Sequence, residues 1–255
     1  MNSDSKILYQ VQQGIARITL NRPQKRNALD PELISQLRDA VRASAQDETV
    51  RVVVLSGAGK DFCAGMDLNL LRSSADADVL RNRSDAREFA DLIVQMRHHP
   101  RPILAAVRGR ALAGGCGLAT AADMILASES AQFGYPEVNI GFVPAIVMAL
   151  LRRSLSEKRA FELAILGEPV SAQTAFEYGL VNRVFADETF DIDLDAFASK
   201  LASKPESAVL LSKRLLYHMD AMGFETAIEA GADINALARM TEDFKRGLEK
   251  ALKKS

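Results

Sequence analysis

The stretch that decides the fold is VRVVVLSGAGKDFCAGMDL, residues 50–68. It opens on Val52, Val53, Val54 and Leu55. A continuous run of this kind marks a strand buried on both faces. At Gly57 and Gly59 it breaks into a glycine-punctuated loop. The same grammar returns at ILAAVRGRALAGGCGLATAAD, residues 103–123, where a buried strand is followed by glycines that open a helix. A further strand around Met124 to Ala127 comes next. Strand–helix alternation of this kind implies βαβ units with right-handed crossovers.

Outward from that centre, Ile7, Tyr9 and Val11 alternate with polar residues, and Ile15, Ile18 and Leu20 resume after Gly14. This predicts a hairpin. Asp30 before Pro31 reads as an N-cap followed by proline at the first helical position. Leu33, Leu37 and Val41 then form an apolar helical face. Residues 69–90 are polar and rich in Ser, Asp and Arg, and read as a mobile helix or lid. A helix reaching Met96 ends before Pro100 and Pro102. From Pro144 onward the pattern is helical, with AIVMALLRRSL, EKRAFELAIL, SAQTAFEYG, LDAFASKLAS, ESAVLLSKRLLYHM and one final run from about Glu225 to Lys250. Only LVNRVF (180–185) returns to strand. The apolar stripes of a helical C-terminal third need a surface to bury them, and a second subunit is one such surface.

The 255 residues are 48 % hydrophobic and 25 % charged, which excludes a disordered or collagen-like chain. Net charge is -1, which argues against binding nucleic acid or a membrane surface through basic charge. Cys63 and Cys116 are the only cysteines and form no CxxC pair, so neither a disulfide framework nor a cysteine zinc site is expected. The start, MNSDSKILYQ, lacks an apolar signal region. The expectation is a soluble, cytoplasmic protein with no metal.

Three glycine-bearing segments could carry chemistry: DFCAGMDL (61–68), RGRALAGGCGLA (108–119) and FGYPEVNIGFVP (133–144). Singly, glycines after strands are turns. No GxGxxG with an acidic residue about 20 positions on occurs, no GxxxxGK[ST], and no GxSxG. Together the segments offer more. Amides freed at glycine turns, one set at a helix N-terminus, can form an oxyanion hole. Glu137, in an apolar glycine-rich stretch, would have a raised pKa suited to proton transfer. That combination fits chemistry at the carbon beside a thioester carbonyl.

NRPQKRNAL (21–29), SGAGKDFCAGMDL (56–68), RGRALAGGCGLATAAD (108–123), FGYPEVNIGFVP (133–144) and GEPVSAQTAFEYGLVNRV (167–184) resemble, in order and spacing, the enoyl-CoA hydratase/isomerase or crotonase family. The resemblance implies an α/β fold built as a spiral of ββα units, with a crotonase-like core over residues 1–195. It also implies a C-terminal helical trimerisation region over 196–255, and homotrimers or dimers of trimers. The implied substrate is an acyl-CoA thioester, with coenzyme A as part of the substrate and no separate cofactor. Its thioester oxygen would sit between the amides of Met66 and Gly114. Ala64, Asp67, Leu68 and Asn69 would line the CoA path, with Arg26 and Ala28 near the adenine–pantetheine bend.

The departures bear on the reaction. Two-carboxylate hydratases of the family carry one acid three positions after the oxyanion glycine, and here that residue is Gly117. The second acid is present as Glu137. The acid that dienoyl-CoA isomerases and hydroxyacyl-CoA hydrolases place eight positions after this glutamate is here Ala145, so both activities lose support. A lone Glu137 resembles the single-base isomerases. It can take a proton at C2 and return it at C4, and position 117 should face the substrate as an empty site. Hydratase activity and a non-catalytic CoA-binding protein are the alternatives. RNA binding, known for a relative, is disfavoured by the net charge. Asp123, Cys116, His98, His99 and His218 read as structural or surface residues, with His98 and His99 in an exposed turn.

Overall fold

The computed structural model describes residues 5–253. Strands β1 (Ile7–Gln12) and β2 (Ile15–Leu20) pair antiparallel, with Tyr9 opposite Ile18. The turn between them holds Gln13 and Gly14 at positive φ. Helix α1 (Pro31–Gln46) starts as the sequence predicts, with the Asp30 side chain accepting from the Leu33 amide at 2.8 Å. β3 (Val52–Gly57), β4 (Ile103–Val107), β6 (Met124–Ser128) and β9 (Arg183–Phe185) then add parallel strands beside β2. The sheet order is β1-β2-β3-β4-β6-β9.

Alternation within the apolar strands explains why they are hydrophobic throughout. Val53 and Leu55 join the main core with Leu33 and Leu37 of α1. Their neighbours Val52 and Val54 face the other way, against Phe190, Leu194 and Ala198 of α8 (Phe190–Ala202). Each fully buried aliphatic side chain here contributes about 1.5–3 kcal/mol. The sheet is therefore covered on both faces, as a parallel sheet requires.

A small second sheet, β5-β7-β8, was not legible in the sequence. β5 (Arg110–Leu112) and β7 (Gln132–Gly134) follow β4 and β6 after short links and pair parallel to each other, and β8 (Val170–Ser171) adds antiparallel to β7. Strands of two and three residues carry too little alternation to be read. Consecutive strands thus contribute one to each sheet. The second of the pair β4–β5 leads into helix α4 (Gly114–Ala121).

Three expectations are corrected. Residues 69–90, expected to be a mobile helix or lid, are not one helix; they span α2 (Leu68–Ser74) and most of α3 (Val79–Arg97). α3 is anchored by buried Phe89, Leu92, Ile93 and Met96, which hold its C-terminal half on the core. The final run is two helices, α10 (Phe224–Met240) and α11 (Glu242–Leu252). Thr241, at ψ 147°, breaks them and caps the second by accepting from the Phe244 amide. His98 is exposed, but His99 is only 3 % exposed. Its ring nitrogens meet Ser44 Oγ at 3.1 Å and the Arg101 carbonyl at 2.9 Å. Burial pushes its pKa down to about 4.

Helix α9 (Glu206–His218) docks through polar contacts. Lys213 Nζ donates to Asp123 Oδ2 at 2.7 Å, and the Tyr217 hydroxyl donates to Asp123 Oδ1. Asp123 also accepts from the Ile103 amide at 2.6 Å, which ties α9 to the start of β4. Among the described residues α10 and α11 bury no side chain fully, and Phe224, Ile228, Met240, Phe244 and Leu248 stand exposed. Among the described residues no helix is long and apolar enough to cross a membrane.

Candidate active site

The loop after β3 is clamped between two other segments. On one side the Ala64 amide donates to Arg26 O at 3.0 Å, Leu29 N–H to Gly65 O at 2.8 Å, and Asp67 N–H to Leu29 O at 2.9 Å. On the other, Cys63 N–H donates to Arg110 O and the Cys63 carbonyl accepts from Leu112 N–H, each at 3.0 Å. Asn27 and Asp61 are the pins. Asn27 Nδ2 donates to the carbonyls of Ala58 and Asp61 at 2.9 and 2.7 Å. Asp61 takes both guanidinium contacts of Arg110, at 2.9 and 3.0 Å, and the hydrogen bonds hold its carboxyl below the usual range.

Gly65 lets these segments meet. Its φ is +95°, and a Cβ there would lie 2.7 Å from Ala113 Cβ and 3.4 Å from the Gly114 nitrogen. The next residue is Met66. Among the described residues no acceptor takes its amide hydrogen, nor that of Gly114. Gly114 is the first residue of α4, where helix amides lack intrahelical partners. The residue before it, Ala113, has φ 51° and ψ −129°, an uncommon conformation for alanine. Its own amide is used, donating to Gly134 O at 2.8 Å. The two residues that bear unused amides are thus brought close by Gly65, which touches Gly114, and the side chains of Leu29, Phe89 and Met66 stand around Gly114.

The last bond also links α4 to the segment that bears Glu137. Tyr135, fully buried, reaches Thr120 Oγ1 at 3.0 Å, and Thr120 donates to Cys116 O at 2.8 Å. A short 3-10 turn, Pro136–Ile140, then carries Glu137. Glu137 Oε2 is buried and without a hydrogen-bond partner. Burial of this oxygen raises the carboxyl pKa. No ion pair among the described residues involves it. The thiol of Cys116 is buried and pushed up to about 12, which makes it a neutral packing group.

The expected CoA-path residues divide. Arg26 is exposed at the end of a 3-10 turn, and Leu68 and Asn69 are exposed at the start of α2. Ala28 is buried, and its carbonyl accepts from Arg22 Nη1 at 2.6 Å. Asp67 caps α2 by accepting from the Asn69 amide at 3.0 Å and pairs with Arg22 at 3.2 Å, so its carboxylate is already occupied.

Position 117 differs most from expectation. It is not an empty site. A Cβ on Gly117 would fall well under 3.0 Å from Val147 Cγ1 and 3.2 Å from Val147 Cβ. Val147 itself is 3 % exposed. Nothing in the sequence singles out Val147, which follows Glu137 by ten residues and is one of several apolar residues in AIVMALLRRSL. Phe89 is equally unmarked, inside a segment that reads as polar.

The family model described as enoyl-CoA hydratase/isomerase matches residues 10–255. The chain belongs to the enoyl-CoA hydratase/isomerase family. A candidate enoyl-CoA hydratase from Thermus thermophilus is 38 % identical over 242 residues, covering 94 % of this chain and 96 % of its own. The 1,2-epoxyphenylacetyl-CoA isomerase of Escherichia coli is 32 % identical over 251 residues, with 97 % and 95 % covered. The crystal structure of an enoyl-CoA hydratase from Mycobacterium smegmatis superposes with a TM-score of 0.94 at 34 % identity, covering 98 % of this chain and 97 % of that one. The crotonase-like fold expected from the motifs is the fold observed. This is a family of enzymes, and it acts on acyl-CoA thioesters.

Proposed function

We propose that this protein is a single-base enoyl-CoA isomerase, moving a C3 double bond to C2. The observation that carries the reading is Glu137: one buried carboxylate oxygen without a partner, on a segment tied to the amide-bearing start of α4. The amides of Met66 and Gly114 hold the thioester oxygen as negative charge develops on it. Glu137 takes a proton from C2, the dienolate forms, and Glu137 returns the proton at C4. No atom is gained or lost, so no cofactor is needed. The carbon skeleton lies toward Leu29, Phe89 and Met66, and the CoA portion passes Ala64, Leu68 and Asn69 toward Arg26 and Ala28. Asp67 serves this path by capping α2. The exposed apolar residues of α10 and α11 support a homotrimer or dimer of trimers.

The names of the hydratase relatives favour the second reading, addition of water to a 2-enoyl-CoA. The two are separated by offering a 3-enoyl-CoA and a 2-enoyl-CoA in turn and following the absorbance of the conjugated thioester. A rise with the first is expected. Faster decay with the second overturns the isomerase in favour of the hydratase, and silence with both means a CoA-binding protein without catalysis. Glu137→Gln should lower the isomerase rate by roughly 10²–10⁴ while CoA still binds. The wild-type rate should fall as pH drops through the raised pKa of Glu137, because the protonated form cannot accept a proton. Wild-type turnover in the variant would assign the base elsewhere.

A further inference from the structure

Helix α4 puts Gly114 and Gly117 three residues apart, and hence on one face. A side chain at 117 would therefore project from the same face as the amide-bearing glycine, on a helix whose start is tied to the Glu137 segment through the Ala113 amide and the Gly134 carbonyl. What fills that direction is Val147. Its Cγ1 occupies the place of the would-be Cβ, and its own Cβ is 3.2 Å from that place. Turning χ1 of Val147 moves the methyl but leaves the Cβ, so rotation alone gives no room for a longer side chain. A β-branched residue is also stiff at χ1. The main chain at 147 is held as well, since its carbonyl accepts from the amides of Leu150 and Leu151 at 3.0 Å each.

We propose that Val147 is a specificity-determining residue: its isopropyl group fills the volume a second carboxylate would need and so keeps the site to the single base Glu137. Glycine at 117 and valine at 147 form one unit. Hydration adds a hydroxyl to C3 and a proton to C2, and a second carboxylate would position and deprotonate the water. With Val147 in place that carboxylate has no room, and the isopropyl group that stands in its stead offers water no hydrogen bond. The inference rests on the reading of Glu137 as the proton carrier, but the steric unit can be tested apart from it.

The steric test is a double-mutant cycle on stability. Gly117→Ala should lower the melting temperature by roughly 2–12 °C in the wild-type background. In a Val147→Ala background, where only a 3.2 Å contact remains, most of that loss should vanish. Equal losses in both backgrounds would overturn the unit whatever the enzyme catalyses. The functional test compares Val147→Ala with Val147→Ala/Gly117→Glu. The ratio of hydration to isomerisation should rise at least about ten-fold in the double variant. Gly117→Glu alone should melt lower and show no such rise. A folded double variant with an unchanged ratio refutes the specificity role. So does a Gly117→Glu single variant that melts like wild type and hydrates. Wild type that hydrates but does not isomerise overturns the proposed function instead, and leaves the stability cycle to judge the steric unit.

Discussion

Adjacent glycines at the start of α4 should answer one added methyl in opposite ways. A Cβ on Gly115 would lie well under 3.0 Å from the Cys63 carbonyl oxygen and 2.8 Å from both the carbonyl carbon and Cβ of Cys63. Two of those atoms are backbone, and Cys63 is hydrogen-bonded through both its amide and its carbonyl. Relief means shifting the loop that carries Met66 away from α4. Overpacking of this kind costs roughly 1–3 kcal/mol, and in a chain of this size each kcal/mol moves the melting temperature by roughly 2–4 °C. Gly115→Ala should thus melt roughly 2–12 °C below wild type. A Cβ on Gly114 meets only side chains, at 3.4 Å (Leu29), 3.7 Å (Phe89) and 3.9 Å (Met66). Those are ordinary contacts, and Gly114 is not among the glycines at positive φ. Alanine at a compatible position stabilises by roughly 0.4–1 kcal/mol through the unfolded chain. Gly114→Ala should melt at or slightly above the wild-type temperature.

Activity should run against stability at Gly114. Its added methyl projects between Leu29, Phe89 and Met66, beside the amide assigned to the thioester oxygen. One surplus methyl in a fitted apolar pocket changes specificity by roughly 10–200-fold. Isomerisation of a 3-enoyl-CoA by Gly114→Ala should fall within that range although the protein is intact by thermal melting. Two results refute the argument: Gly115→Ala melting with wild type, or folded Gly114→Ala turning over at the wild-type rate.

Met66→Ala should keep turnover within about ten-fold of wild type, because its proposed contribution to an oxyanion hole is a main-chain amide; damage as severe as at Gly114 would show that the side chain matters. His99 is depressed to about 4 in the folded chain against an ordinary value of 6.5. The stability tied to keeping it neutral is complete above pH 6.5 and is lost as pH falls from there through 4, about 3 kcal/mol in all. His99→Gln should therefore lose less stability than wild type between pH 7.5 and pH 4.5 in denaturant melts, and equal losses would clear His99 of that role.

What the sequence disclosed was whatever depends on local pattern. Val52 to Leu55 read as a strand buried on both faces because both faces are covered, by α1 and by α8. Asp30 and Pro31 marked the start of α1 because capping is a matter of three neighbouring residues. Glycines 65 and 114 and Glu137 were visible through motif order. The hidden parts are those made by approach of distant segments. Val147 acts on Gly117 across thirty positions, and only the direction of an absent Cβ connects them. His99 looks like a turn residue until Ser44, from α1, closes over it. The break at Thr241 is hidden because no glycine or proline stands at it, while the two glycines of the run, Gly231 and Gly247, lie inside the helices.

Three carboxylates near α4 show how partners divide structural acids from the proposed base. Asp61 is saturated by Arg110, which lowers its pKa and fixes the loop before Met66. Asp123 accepts from a main-chain amide, Lys213 and Tyr217, and fixes α9 to the sheet. Glu137 has burial without compensation at Oε2. An arginine or lysine beside it would stabilise the fold, since an unpartnered buried polar group costs about 1–3 kcal/mol or more. The same cation would pull the carboxyl pKa down and make it a poorer proton acceptor. A base that must take a weakly acidic proton from carbon works best with its pKa raised toward the operating pH. The missing partner is thus a cost to stability that the proposed task would account for, and it separates Glu137 from Asp61 and Asp123 on physical grounds.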